Sequence, residues 1–274
     1  MIKKKGKLVK LLGKIFALPE VRRVKIREYE IFSEKEAEKI KNALQESYHD
    51  ILSDVDVGVL VTLHPADFGT DFPYHNNPGR IGLDRETYLG LAYSGAGEFQ
   101  MLRLILKTGI RFDIGFYITL DEHVPILSIP RKEKQEAKDE GRFWPYWDLQ
   151  KADEFWFTQI QALAKLNRGD YLIADHLANL AINETLVAQM VMRDDEYGTN
   201  FHRYGYHELL EYQMAGPISF ALQARDEGFM QIAHKLYAAA ITYDKLIKSL
   251  NPFYKEQRDF FFAIWQKYDI GVNS

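Results

Sequence analysis

The chain has 274 residues, 46% of them hydrophobic and 27% charged, with a formal net charge of -4. That length supplies a core and reaches the size at which a second domain becomes common, while the near-neutral charge supplies no global field for nucleic acid or an acidic membrane. Cysteine is absent, which excludes disulfides, thiolate zinc sites and cysteine nucleophiles and accords with a reducing, cytoplasmic setting.

The opening run Lys3-Lys4-Lys5-Gly6-Lys7, followed by Lys10, Lys14, Arg22 and Arg23, is locally basic. Such a run is either a contact for RNA or lipid or the solvated face of a terminal helix. No apolar stretch approaches the length that spans a bilayer. Residues 8–18 are interrupted by Lys10 and Lys14 and lack a following small-residue cleavage site, so no signal peptide is expected. Three β-branched runs, at residues 21–31, 55–63 and 110–120, predict strands. Ser33 followed by Glu36 resembles a capping box that opens a helix over residues 34–48, with Ala37, Ile40 and Leu44 on one stripe. Residues 64–82, rich in Pro, Gly, Asn and Asp, read as a long loop. Residues 95–107 read as a helix carrying Phe99, Leu102 and Leu106.

A charged segment, 131–142, then separates two halves, and Phe143-Trp144-Pro145-Tyr146-Trp147 begins the second. Helical spacing near 3.6 recurs at residues 155–166, 171–192, 206–225, 229–250 and 252–268, the pattern of a bundle. The expected fold class is α+β: a mixed-sheet α/β domain over residues 1–142, then an α-helical bundle domain over 143–274.

The second strand carries the chemistry. Alternation along Asp54-Val55-Asp56-Val57-Gly58-Val59-Leu60-Val61 places Val55, Val57, Val59 and Val61 on one face and Asp54, Asp56 and Gly58 on the other. Two carboxylates one pleat apart repel unless a cation sits between them, and a hard divalent cation bound through oxygen relieves the conflict. The bland reading is an edge strand whose outer face meets water. A later strand repeats the pattern: Phe112, Ile114, Phe116 and Ile118 share a face, and Asp113 lies opposite, flanked by Arg111 and Gly115. If the two strands are neighbours, three acids converge, and three acids with one or two metal ions suit in-line phosphoryl or nucleotidyl transfer.

Leu52-Ser53-Asp54-Val55-Asp56-Val57, the third acid in Arg111-Phe112-Asp113-Ile114, and the order of an α/β domain then a helical one resemble the DNA polymerase β-type nucleotidyltransferase superfamily. Within it the chain is most similar to bacterial adenylyltransferases acting on aminoglycosides or lincosamides. The resemblance implies that Asp54 and Asp56 bind magnesium, that Asp113 is a further metal ligand or the general base, and that Ser53 belongs to the nucleotide site. It implies transfer of AMP, or another nucleoside monophosphate, from a triphosphate such as ATP to a hydroxyl of a small molecule, with antibiotic resistance as the biological setting. Family members also carry a Gly-Ser turn about ten residues before the first acid, whose N–H and hydroxyl meet the triphosphate. Here no glycine lies between Gly13 and Gly58, and the nearest analogue is Ser33, 21 residues before Asp54. Two other readings therefore stand beside the transferase: a nucleotide-binding or regulatory protein of the same fold with little turnover, and a transferase that modifies a protein partner.

Enzymes of the family the chain resembles often grip the triphosphate with a lysine from the helical half, and the resemblance makes Lys165, then Arg168, the candidates. Their other reading is ordinary, because basic residues favour a helix's last turn and Gly169 is a usual stop. In the helix 171–192, positions 173, 177, 180, 184, 187 and 191 share a stripe on which Glu184 alone is polar. Glu184 is either a general base with proton affinity raised by desolvation or the partner of an arginine in the bundle. Asp175 and His176 read as solvated or cap-like. Residues 193–206 read as a glycine-punctuated loop, either the wall of an acceptor pocket or a packed helix connection, with Asp194, Asp195 and Glu196 on a turn. No nucleic-acid or membrane partner is expected, and the Tyr- and Phe-rich C-terminal helices offer a surface for a homodimer.

Overall fold

The computed structural model describes residues 11–15, 17–26, 29–31, 54–68, 81, 83–127, 146–197 and 228–268. The chain divides into two compact units, Met1–Lys134 and Gln135–Ser274. The fold class is α+β, a mixed sheet in the first unit and helices in the second.

Among the described residues the first unit holds a six-stranded sheet: β1 (Val21–Ile26), β2 (Tyr29–Ile31), β3 (Asp54–Leu63), β4 (Tyr88–Ala96), β5 (Phe99–Leu106) and β6 (Arg111–Leu120), in the spatial order β2-β1-β3-β6-β5-β4. The junction of β3 with β6 is parallel, and every other neighbour pair is antiparallel. The valines of β3 at 55, 57, 59 and 61 are buried, as are Phe112, Ile114, Phe116 and Ile118 of β6 and Leu102, Leu104 and Leu106 of β5. Leu11, Leu12 and Ile15, from the helical residues 11–15, join the same core. At roughly 1.5–3 kcal/mol per fully buried aliphatic or Phe side chain, this one face supplies most of the sheet's stability.

Two sequence expectations are corrected here. Residues 21–31 are two strands, with Val24 opposite Ile31 and Ile26 opposite Tyr29. Residues 95–107 are not a helix. They hold the end of β4, a two-residue turn at Gly97-Glu98, and β5. Leu102 and Leu106 are four apart, a spacing that satisfies both a helical stripe and a strand's alternation, and Leu104 between them decides for the strand. The turn itself demands glycine, with Gly97 at φ +61 as hairpin turns of the primed kind require, and Gly95, near the end of β4, has φ +88. The expected helix over 34–48 lies outside the described residues, and of the loop 64–82 they include a 3-10 turn at Pro65–Asp67 capped by His64.

The second unit contains, among the described residues, α1 (Leu149–Asn167), α2 (Tyr171–Tyr197), α3 (Phe229–Leu250) and α4 (Arg258–Trp265). The Asp148 side chain caps α1 by accepting from the Gln150 N–H at 2.8 Å. The other end of α1 closes with Gly169 at φ +78, the Asp170 N–H reaching the Lys165 carbonyl and the Gly169 N–H that of Leu166, which is the Schellman arrangement. Helices α1, α2 and α3 pack on one another. Phe155 stacks on Tyr243 with centroids 3.6 Å apart, and Trp147 meets Tyr243 edge-on.

Helix α2 packs through a different stripe from the one its large apolar residues mark. Ile173 and Leu180 are exposed, while Ala174, Ala178, Ala181, Ile182, Thr185, Ala188 and Gln189 are buried. Small side chains let neighbouring helices approach closely, so alanine forms the contact and the bulkier stripe does not. Residues 193–197, expected in a loop, are the last turns of α2. Asp194 is fully buried there against the Arg193 guanidinium at 2.7 Å. The helix expected over 252–268 starts only at Arg258. Before it, Asn251 bonds the Phe253 N–H and the Trp147 carbonyl, and the Asp244 carboxylate accepts from the Gln257 N–H at 2.9 Å. These side-chain bonds replace a helical first turn. The expected helix over 206–225 lies outside the described residues.

Candidate functional site

The parallel junction of β3 and β6 assembles the candidate site. Its register sets Asp54 opposite Arg111, Asp56 opposite Asp113, and Gly58 opposite Gly115. The antiparallel junction of β6 with β5 then sets Arg103 opposite Asp113 and Phe99 opposite Tyr117. Because the valines of β3 and the Phe and Ile residues of β6 face the core, these positions share the other face of the sheet. Asp56 is exposed there. The two strands expected to be neighbours are neighbours, and their acids stand side by side.

Asp113 is 8% exposed and is held by two guanidinium groups. Arg111 donates from Nε to one carboxylate oxygen at 3.3 Å and from Nη2 to the other at 3.0 Å. The Nε of Arg103 lies 3.5 Å from that second oxygen. A buried carboxylate is tolerated when it is paired in this way, and a forked guanidinium matched to both oxygens is the strongest form of the pair. Sequence reasoning missed Arg103 because the helical reading of 95–107 put it on no particular face. The alternation of Leu102, Leu104 and Leu106 was the signal that would have placed it.

Beyond the charged row, Gly58 and Gly115 lie abreast. The Phe99 ring covers Gly115 closely, since a Cβ there would stand 3.2 Å from the ring edge. Phe99 and Tyr117, tilted rings 5.0 Å apart, are both partly exposed to solvent. Among the described residues no three His, Asp or Glu side chains gather as a metal cage. The donor chemistry of Asp54 and Asp56 suits magnesium nonetheless, because that ion is ordinarily held by one or two carboxylates together with substrate phosphates.

Ser33 and Ser53 lie outside the described residues, so the phosphate cradle expected around them does too. In the second unit, Lys165 reaches Asp170 at 3.1 Å across the end of α1, and Arg168 is the C-cap residue of that helix. Asp175, expected as solvated or cap-like, pairs with Lys235 at 2.7 Å and accepts from Asn179 at 3.1 Å. Glu184 is half-buried, with one carboxylate oxygen shielded from solvent. Burial raises its pKa, Lys151 opposes the shift, and Glu154 adds to it. Among the described residues no helix is long and apolar enough to cross a membrane.

No protein-family model matches the chain, and no curated protein matches it. Among solved structures it is similar to an aminoglycoside 6-adenyltransferase from Bacillus subtilis, with 12% identity and a TM-score of 0.30 over 97% of this chain and 98% of that one.

Proposed function

We propose that the chain is a magnesium-dependent nucleotidyltransferase, moving a nucleoside monophosphate from a nucleoside triphosphate to a hydroxyl of a small molecule. The observation that carries this reading is the β3–β6 register, which sets Asp56 beside Asp113, with position 54 one pleat away. Asp54 and Asp56 would hold the divalent cation, which when bound offsets triphosphate charge and polarises the phosphoryl group under attack. In the reaction the acceptor oxygen bonds to the α-phosphorus, the bond to the bridging oxygen breaks, and pyrophosphate leaves. The hydroxyl proton passes to a carboxylate. Asp113, the third acid of the sequence motif, is the candidate for that role. ATP is the proposed donor and an aminoglycoside or lincosamide the proposed acceptor, on the strength of the sequence motifs around Asp54, Asp56 and Asp113.

A second reading, a nucleotide-binding protein with little turnover, is favoured by the two arginines that engage both oxygens of Asp113. Pyrophosphate release in magnesium, with labelled ATP, GTP, CTP or UTP and a panel of hydroxylated antibiotics, separates the two. The transferase reading expects release that Asp56→Asn lowers by about 100-fold or more, the scale of losing a group that stabilises transition-state charge. Release that is unchanged in Asp56→Asn sinks the assignment.

A further inference from the structure

The corner between α3 and α4 buries a carboxyl that the proposed reaction does not use. The Asp244 side chain is fully buried, and its two oxygens are served unequally. Oδ1 accepts from the Tyr254 hydroxyl at 2.6 Å and from the Gln257 N–H at 2.9 Å. Oδ2 is shut off from solvent without a hydrogen bond, and so is Oε1 of Gln257, the residue whose N–H already meets Oδ1. A buried acceptor without a donor is costly, and a proton on Oδ2 converts one of these two acceptors into a donor for the other. The cation at this corner is equally undecided. The Arg258 guanidinium, 42% exposed, stands 3.8 Å from Asp244, 4.0 Å from Glu256 and 3.9 Å from Asp259, and the last two carboxylates are exposed.

We propose that Asp244, Gln257 and Arg258 form a proton-operated latch at the α3–α4 corner. With Asp244 neutral, its proton bonds Oε1 of Gln257, and the Arg258 guanidinium stays in solvent with Glu256 and Asp259. Loss of that proton to solvent leaves a buried charge, which is tolerated only when paired. Arg258 then closes on Oδ2 by about 1 Å, to the roughly 2.8 Å of a charge-assisted bond, and fastens the first turn of α4 to α3. The groups that bear on the carboxyl come from each neighbouring element. Trp156 of α1 is neutral and donates to the Tyr254 hydroxyl at 2.8 Å. Tyr254 and the Gln257 N–H lower the pKa of Asp244, as does the Arg258 backbone N–H, while burial and Glu256 raise it, burial most. The latch lies wholly within the helical unit and is independent of the nucleotide reading.

The test follows the full chain by NMR from about pH 4 to 8, with carboxyl carbons labelled in aspartate and Asp244→Asn identifying the resonance. The Asp244 midpoint should lie above the about 3.9 of a free aspartate, and a midpoint at or below it overturns the proposal. Arg258→Met should raise the midpoint by about one unit, since the charged form loses its partner. Gln257→Leu separates the latch from burial alone. A proton bonded to Gln257 makes the midpoint fall in that variant, whereas an added apolar group without such a bond makes it rise; a rise overturns the proposal. The Arg258 Nε–H, corrected for its intrinsic rate, should exchange with solvent about tenfold more slowly above the midpoint than below it, the scale of one charge-assisted bond. Equal protection on both sides overturns the closure. If Gln257→Leu fails to fold, Asp244→Asn decides: with a side chain that never ionises, the Arg258 Nε–H should stay unprotected at every pH, and protection that still follows pH overturns the latch.

Discussion

Arg111→Met is the substitution that tests the charge balance of the sheet most directly. Methionine keeps much of the stem and removes the guanidinium. In the wild type the side chains of Arg111 and Asp113 are each 9% exposed and bonded at 3.0 Å. Removing one partner of a fully buried pair costs about 3–5 kcal/mol, because the other charge is left without compensation. Here Arg103 remains 3.5 Å from the carboxylate, on a side chain 36% exposed, and a partly solvated partner gives back about 1 kcal/mol. The expected loss is therefore about 2–4 kcal/mol. Adding Asp113→Leu removes the stranded charge and should recover most of it, a coupling of about 2 kcal/mol. Urea unfolding read by far-UV circular dichroism measures the sheet's transition. All four tryptophans lie beyond residue 142, so indole fluorescence follows the helical unit and serves as an internal control. A loss below about 1 kcal/mol for Arg111→Met, or a double variant no more stable than the single one, would refute the view that this pair holds Asp113 in place.

Gly95→Ala should destabilise the sheet by at least about 2 kcal/mol, because its φ is +88 and a Cβ would meet the Phe99 carbonyl oxygen at 2.5 Å; a urea midpoint equal to wild type would count against the hairpin geometry. Trp156→Phe should cost the helical unit about 1–3 kcal/mol, since it deletes a buried indole N–H bonded to the Tyr254 hydroxyl at 2.8 Å, and thermal melts check it. Burial raises the pKa of Asp244, against the Tyr254 hydroxyl and the Gln257 and Arg258 backbone N–H groups that lower it. A carboxyl whose folded value lies above its unfolded 3.8 stabilises most below that value and loses the contribution as pH rises through the folded one. Melting temperature of the helical unit should thus fall as pH climbs from about 4 towards neutrality, and Asp244→Asn should flatten the slope; an unchanged slope removes Asp244 as its source.

Much of the sheet was legible because β3 and β6 alternate cleanly, and alternation is a local property of the backbone. The same rule put Asp54 and Asp56 opposite the apolar face of β3 and Asp113 opposite that of β6, and the register of the two strands makes those faces one. What could not be read was the set of partners. Arg103 reaches Asp113 only through the β5–β6 register, which no spacing within either segment encodes, and a spacing of four between Leu102 and Leu106 hid the strand itself. In α2 the rule of counting large apolar residues failed for a related reason: Ala174, Ala178 and Ala181 carry little hydrophobic weight in a sequence, yet smallness is what brings two helices together. Glu184 was legible as a carboxylate awaiting desolvation, but Lys151 and Glu154 became its electrostatic neighbours only in the assembled bundle.

The single parallel junction also orders events in time. Hairpins β4–β5 and β5–β6 join segments adjacent in the chain, whereas β3 and β6 meet across 57 residues, the separation of Thr62 and Thr119 whose hydroxyls touch at 3.1 Å. Loop closure over that distance must come before its contacts repay it. Arg103, Arg111 and Asp113 belong to the segment that can form early, and Asp54 and Asp56 arrive with the strand that closes the sheet. Local pairing of β5 with β6 thus sets both guanidiniums beside Asp113 before Asp54 and Asp56 are delivered to the same face.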